Sequence, residues 1–434
     1  MASVAFIHPD LGLGGAERLV VDAAVALVEK GHDVTVYTSH FDPKRCFSEA
    51  KAGGPLDGRV VVYGSWIPRH ICGRLHIVCA MLRNAWVAAH AARAAHAVYI
   101  CDQVSLSVPF VRALSASSRT LFYCHFPDQL LSPGGSLLKR LYRLPFDAIE
   151  EWSTGCADRI VVNSQFTQRV FAQTFTTLER RGVRPEVLYP CVKLGEDDAT
   201  AAVGDAELVT FLSINRFERK KNIRLAVLAL AALRDADPAA FARTRLVLAG
   251  GCDKRVAENV EYHRELTELV KREGLAKRVR FVLSFTDAQK AELLADCVAV
   301  LYTPHNEHFG IVPIECMAAK RPVLAVESGG PLETVEDGVT GFHLPNDAPA
   351  KWAAKMALLA NDVALARKLG RQGRARTRRL FSRETFATQL DGIVQERAGD
   401  DQRRALLSPM LLVVLTLCVA LAAYCAPHVV TKLK

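Results

Sequence analysis

The sequence predicts an α/β fold built on parallel sheets in two domains, and three observations carry that prediction. Short apolar runs, many of them β-branched, recur at 4–7, 34–38, 60–63, 98–101, 119–124 and 159–162, with helical patterns between several of them. A second set follows at 208–214, 245–249, 279–283, 297–302 and 322–326. Between the sets lies Gly195-Glu196-Asp197-Asp198-Ala199-Thr200, a polar stretch that reads as a linker. With 434 residues, half of them apolar, the chain is long enough for two or three domains with large cores. The expected boundaries are a first domain over 1–192, a linker over 193–207, a second domain over 208–380, and a C-terminal helix and linker over 381–404.

Taken in order, the chain opens on Ser3-Val4-Ala5-Phe6-Ile7, which reads as a core strand; no basic stretch precedes it and the apolar run is too short for a signal peptide. Leu11-Gly12-Leu13-Gly14-Gly15-Ala16-Glu17-Arg18 then leads from that strand into a helix. Gly14 and Gly15 would let the backbone approach a phosphate or sugar, although a plain strand-to-helix turn has the same composition. It is not the dinucleotide fingerprint, because Glu17 takes the place of the third glycine. His125 stands at the end of the strand 120–124, where it would face a cleft and suit a hydrogen bond to sugar; a lone histidine is more often a satisfied structural group.

The second domain opens with Asn215-Arg216-Phe217-Glu218-Arg219-Lys220-Lys221-Asn222 directly after a strand. Arg216 and Lys221 are the two cations expected to neutralise charge growing on a departing diphosphate; the bland reading is a solvated loop. Gly250-Gly251 and Ser284-Phe285-Thr286 end two further strands, so Gly250 and Ser284 are candidates to line a nucleoside. In Glu307-His308-Phe309-Gly310-Ile311-Val312-Pro313-Ile314-Glu315 a loop enters a helix, with Pro313 expected to mark the helix start. The amides of Phe309, Gly310 and Ile311 would then point outward at the positive end of the helix dipole and hold a diphosphate without a metal. Glu315, expected in the first turn, would accept from ribose or sugar hydroxyls, and Glu307 would face the sugar from the other side. Acidic residues also favour helix N-termini with no ligand present. His305, Glu307 and His308 crowd together but lack His-Glu-x-x-His spacing, so no metal site is expected.

The net charge of +9 is spread out and suits an acidic ligand or a membrane surface more than nucleic acid. Its densest patch, Arg371 to Arg379, lacks interleaved aromatics and reads as a solvated helix face. Twelve irregularly spaced cysteines without a Cys-x-x-Cys pair read as buried, reduced thiols. No asparagine heads an Asn-x-Ser/Thr sequon, in agreement with a cytosol-facing chain. Residues 405–426 carry no charge and are long enough to cross a bilayer as a helix, which would leave the bulk of the chain in the cytosol. The arginine-studded apolar stretch 66–98 and Leu137-Leu138-Lys139-Arg140-Leu141-Tyr142-Arg143 are candidate interfacial segments, core helices being the alternative.

Gly14-Gly15-Ala16-Glu17, Arg216 with Lys221, and Glu307 to Glu315 resemble, in content and order, the motifs of glycosyltransferase family 4, retaining enzymes of GT-B fold. Further segments, His8-Pro9-Asp10-Leu11-Gly12, Cys101-Asp102-Gln103-Val104-Ser105, Tyr123 to Asp128, Val162 to Thr167 and Asn306 to Pro313, resemble the dolichol-pathway α-1,3/1,6-mannosyltransferases of asparagine-linked glycosylation. The likeness runs from about residue 4 to about 395. It implies two Rossmann-like domains facing across a cleft, the first on the acceptor side and the second holding the nucleotide-sugar. It further implies transfer of mannose from GDP-mannose to a mannosylated chitobiosyl diphosphodolichol, first α-1,3 and then α-1,6, at the cytosolic face of the endoplasmic reticulum, with no cofactor required. Other early dolichol-pathway glycosyltransferases are the implied protein partners. By the family motif, Arg216 and Lys221 hold the diphosphate, Glu307 contacts the donor sugar, Glu315 takes the ribose hydroxyls, the Gly14-Gly15 loop closes on the phosphate side, and His125 lies near the anomeric carbon. Asn222 departs from the glycine that many relatives carry after the lysine. Two alternatives stand beside this reading: a GT-B enzyme with a different sugar or lipid acceptor, and a non-catalytic nucleotide-binding membrane scaffold.

Overall fold

The computed structural model describes residues 1–70, 75–131, 137–195 and 208–396. The expected membrane span at 405–426 and most of the expected linker lie outside the described residues. No described helix is long and apolar enough to cross a membrane. The chain divides into two compact units. One holds Met1–Asn163, Thr167–Leu188 and the described residues from Phe386 on; the other holds Ser164–Phe166 and Tyr189–Thr385.

The first unit is built on seven parallel strands: β1 (Ser3–His8), β2 (Asp33–Thr38), β3 (Val60–Val62), β4 (Val98–Asp102), β5 (Arg119–Cys124), β6 (Arg159–Val162) and β7 (Glu186–Val187). Their spatial order is β3-β2-β1-β4-β5-β6-β7. Strands buried on both faces can be apolar throughout, which is why Val4 to Ile7 and Leu121 to Cys124 show no polar alternation. The helix Gly15–Glu29 is apolar over most of its circumference and buries Leu19 to Leu27 without a break.

The second unit has six parallel strands: β8 (Val209–Ile214), β9 (Thr244–Gly250), β10 (Val279–Leu283), β11 (Ala299–Tyr302), β12 (Val323–Val326) and β13 (Gly341–Leu344). Their order is β10-β9-β8-β11-β12-β13. Successive side chains of β9 feed two cores: Leu246 and Leu248 join Trp352 and Met356, while Val247 and Ala249 join Ile314, Met317 and Phe381. This produces three layers, helix on sheet on helix.

In both sheets the strand order reverses beside the first strand, between β1 and β4 and between β8 and β11. Open α/β sheets bind ligands at the carboxyl ends of the strands flanking such a reversal. Gly14 and Gly15 lie after β1, Arg216 and Lys221 after β8, and Glu307 to Glu315 after β11, whereas His125, Gly250 and Ser284 lie at the ends of β5, β9 and β10, farther from the reversals.

The basic run on the helix Val363–Leu380 is only partly a solvated face. Arg374 is buried and donates to the carbonyls of Ala318 and Gly195, and Arg376 donates to those of Glu333 and Thr334. Guanidinium groups satisfy the carbonyls that a helix end leaves without partners. Arg83, one of the arginines of the segment 66–98, is likewise buried, with Asp10 at 3.7 Å. The nine described cysteines are all free, and eight of them are buried.

Candidate active site

In the second unit, the loop after β8 and the loop after β11 meet through one ion pair. Lys221 Nζ lies 2.5 Å from Glu307 Oε2, and the Thr303 hydroxyl donates to the Lys221 carbonyl at 2.8 Å. The pair is largely withdrawn from solvent, with side chains 14% and 26% exposed. Burial by itself would push the Glu307 carboxyl up, but the Lys221 charge and hydrogen bond outweigh it and hold the group below the usual carboxylate range. Beneath it, burial and then the Glu307 carboxylate push the Tyr302 phenol well up.

Arg216 does not join this pair. Its guanidinium, 64% exposed, lies 2.9 Å from Glu218, which also holds Lys220 at 3.2 Å. Glu218 was not among the residues singled out from sequence. It is a nearly buried carboxylate that fixes two cations, and its only sequence signal is its position between Arg216 and Lys220.

The helix expected to start at Pro313 begins two residues earlier, at Ile311, and runs to Ala318. Gly310 is its N-cap, in the left-handed region at φ +85°, and no side chain caps it. Proline is tolerated at the third position for the reason it is tolerated at the first, since none of the first-turn amides has an intrahelical acceptor. Glu315 is therefore in the second turn rather than the first, and its carboxylate lies 2.5 Å from Lys290 Nζ on the helix Asp287–Asp296. The Phe309 side chain is buried against Tyr189 and Phe381, so it serves packing while its backbone leads into the cap.

Two close backbone crossings shape the edge. A β-carbon on Gly250 would collide with the Asn215 carbonyl, next to Arg216, and the Ser284 amide donates to the Gly250 carbonyl at 2.8 Å. Ser284 itself is left-handed at φ +53°. After β12, Ser328-Gly329-Gly330 presses on the Glu307 loop: β-carbons at Gly329 and Gly330 would strike the carbonyls of Glu307 and Phe309, and the Gly330 amide donates to Glu307 at 2.8 Å. Ser328 Oγ also accepts from the Asn306 amide and shares a hydrogen with His305 Nδ1 at 2.9 Å. Sequence reasoning missed this turn, although a Gly-Gly pair just after a strand is the signal that picked out Gly250-Gly251.

In the first unit, Gly14 is the extended N-cap of the helix Gly15–Glu29. The Glu17 carboxylate folds back against it, where a β-carbon would collide, whereas Gly15 faces open space. His125 follows β5, and its Nε2 lies 2.7 Å from Asp102 Oδ1 at the end of β4. His8, the last residue of β1, places Nδ1 2.7 Å from Asp102 Oδ2. Burial alone would raise the Asp102 carboxyl, but His125 and then His8 bring it down to about 2. The Asn163 amide donates to the His125 carbonyl at 2.9 Å, and Glu150 accepts from the amides of Asp128 and Gln129, so the loop carrying His125 is tied at both ends. Asp102 and His8 were not singled out as site residues from sequence, because three strands separated in the chain bring them together.

Comparison with known proteins agrees with this layout. The family description "Glycosyltransferase Family 4" matches residues 13–196, and "Glycosyl transferases group 1" matches residues 202–376. Among solved structures, sucrose-phosphate synthase from Thermosynechococcus elongatus is similar in fold, with a TM-score of 0.71 at 23% identity over 91% of this chain and 98% of that one. The alpha-1,3/1,6-mannosyltransferase ALG2 of Mus musculus is 44% identical over 400 residues, 89% of this chain and 94% of the mouse protein. That of Homo sapiens is 45% identical over the same shares. The chain belongs to the alpha-1,3/1,6-mannosyltransferase ALG2 family of glycosyltransferases.

Proposed function

We propose that the protein is a retaining mannosyltransferase that moves mannose from GDP-mannose to a one-mannose chitobiosyl diphosphodolichol, forming the α-1,3 and then the α-1,6 linkage during assembly of the lipid-linked oligosaccharide for protein N-glycosylation. The observation that carries the reading is the Lys221–Glu307 pair, set at the strand-order reversal of the second sheet beside the Gly310-capped helix. A lysine ammonium has three donors, so Lys221 can hold Glu307 and a phosphate oxygen together. Arg216 adds a second cation. The uncapped start of the helix Ile311–Ala318 offers amides to the same diphosphate. These groups neutralise the leaving GDP, so in this reading the transfer requires no metal.

Glu307 contacts the donor mannose and Glu315 takes the ribose hydroxyls, with Gly250 and Ser284 beside the nucleoside. His125 acts near the anomeric carbon, and Gly14 and Gly15 close on the phosphate side. The acceptor hydroxyl attacks C1 on the face that GDP leaves. A β-phosphate oxygen of GDP takes the hydroxyl proton as the C1–O bond to phosphate breaks, which retains configuration. The site of action is the cytosolic face of the endoplasmic reticulum membrane, with 405–426 as a single-pass anchor and other early dolichol-pathway glycosyltransferases as neighbours.

The test incubates the full chain in membranes with GDP-mannose and a one-mannose chitobiosyl diphospho-lipid, and resolves products by mass and linkage. Two- and three-mannose products that vanish with Arg216→Ala are expected. Retained GDP-mannose binding without product would overturn the acceptor assignment.

A further inference from the structure

The first unit contains a buried charge that stability alone does not account for. Asp102 is 1% exposed and accepts from two imidazoles, one on each carboxylate oxygen. An ionised carboxylate in a protein interior carries a large desolvation cost, and an apolar cluster of the same volume is usually the more stable solution. His8 adds to that cost, because its Nε2 is buried and has no hydrogen-bond partner among the described residues. The three residues end or follow β1, β4 and β5, and β1 and β4 are the strands between which the order of the first sheet reverses. The cluster therefore stands where α/β sheets place ligands.

Its chemistry is directional. A carboxylate is acceptor-only, so each imidazole must present an N–H to it: Nδ1–H from His8 and Nε2–H from His125. That assignment leaves Nδ1 of His125 as the ring nitrogen free to meet substrate. With the Asp102 carboxyl lowered to about 2, it keeps its charge throughout the physiological range.

Building on the mannosyltransferase reading above, we infer that Asp102, anchored by His8, is a positioning residue that fixes the tautomer and orientation of His125 for the transfer. Asp102 touches no substrate. It holds the imidazole in one orientation, as a buried carboxylate does for a histidine base in hydrolytic triads. His8 holds the second oxygen so that the carboxylate cannot turn away from His125.

Asp102→Asn tests this, because an amide has one accepting and one donating end. It can satisfy one histidine as before only by forcing the other to present a lone pair. The expected result is a kcat lower by about 100-fold, the scale of losing the orientation of one group held against the reacting centre. The KM for GDP-mannose should stay near the wild-type value, because the cations assigned to the diphosphate, Arg216 and Lys221, and the groups assigned to the nucleoside, Gly250, Ser284 and Glu315, lie in the second unit and are untouched by the substitution. A wild-type kcat, or a raised KM with kcat unchanged, would overturn the inference. His8→Leu should lower kcat in the same way, and His8→Asn, which restores an N–H near the position of Nδ1, should recover most of it. If His8→Asn is no better than His8→Leu, the anchoring role is wrong, and this comparison stands even where Asp102→Asn fails to fold.

A readout independent of turnover separates this inference from the function it rests on. In protein labelled with 15N-histidine, the neutral form of the His125 ring, assigned by its loss in His125→Ala, should show a protonated Nε2 and an unprotonated Nδ1 in the wild type. A changed or mixed pattern is expected in Asp102→Asn. An inactive wild type with this pattern would overturn the mannosyltransferase reading and leave the positioning geometry standing; the opposite tautomer in an active wild type would overturn the positioning alone.

Discussion

Lys221 and Glu307 neutralise each other at 2.5 Å in a site that excludes most of the solvent, so removing either leaves the other as an unpaired, partly buried charge. Arg216 differs, since it is mostly exposed and its partner Glu218 keeps a second cation in Lys220. Both cations are assigned to charge that develops as GDP departs, and such groups act on turnover rather than on ground-state binding. Arg216→Ala and Lys221→Ala should therefore each lower kcat by about 100- to 1,000-fold while changing the KM for GDP-mannose much less. Steady-state kinetics on both variants decide the point; an unchanged kcat with only a raised KM would contradict it. Lys221→Ala should also lower the melting temperature more than Arg216→Ala. The residue types at this site were legible in sequence, because cations after one strand and carboxylates around a glycine turn are unusual in combination. Their partners were not. Lys221 with Glu307 and Lys290 with Glu315 are pairs created by strand order and helix placement, and no local spacing encodes them.

The strands β1 to β6 and β8 to β12 fall close to the apolar runs that mark them, because strands covered on both faces need no polar alternation. Two strands left no such mark. Edge strand β7 has only two residues, Glu186 and Val187, and β13 reads Gly341-Phe342-His343-Leu344, with a glycine and a histidine where apolar residues would signal a strand. Gly341 is there because a β-carbon would collide with the Val323 carbonyl on the neighbouring strand. The helix start at Ile311 was misplaced because proline marks a first turn without fixing which position in that turn it holds. Glycine pairs at strand ends are equally ambiguous from sequence, and the structure separates their members. A β-carbon at Gly250 would drive into the Asn215 carbonyl, whereas at Gly251 it would make an ordinary contact with Arg216 Cγ at 3.6 Å. Gly250→Ala should accordingly destabilise the protein by about 2 kcal/mol more than Gly251→Ala, as overpacking against backbone does. Thermal or urea unfolding of the two variants measures the difference, and equal midpoints would show that the β8–β9 crossing can relax.

Over the whole molecule, the net charge of +9 and the exposed apolar side chains point to the same partner. Part of the basic character is spent internally, as Arg83 beside Asp10 and Arg374 on helix carbonyls show, so the sequence overstated how much of it is free. The apolar side chains behave in the opposite way. Trp66 and Trp86 are exposed and stack edge to face at 5.4 Å, and Leu141 and Leu144 of the helix Leu137–Thr154 are 65% and 61% exposed. Leu130 and Leu131 of the helix Asp128–Leu131 are exposed as well, in the segment that follows His125. Amphipathic aromatics and leucines facing outward on a basic protein suit the headgroup boundary of an anionic bilayer, where the acceptor's lipid resides. A chain ending at residue 404, without the expected anchor, should therefore still sediment with phosphatidylserine-containing vesicles at low salt and dissociate as salt screens the electrostatic share. Leu141→Ser and Leu144→Ser should each weaken that binding by roughly 10-fold, about the effect of one leucine side chain failing to leave water. Trp66→Ala should do the same if the aromatic pair lies against lipid. If the shortened chain stays in the supernatant at low salt, these side chains do not meet a membrane, and attachment then rests on 405–426 alone.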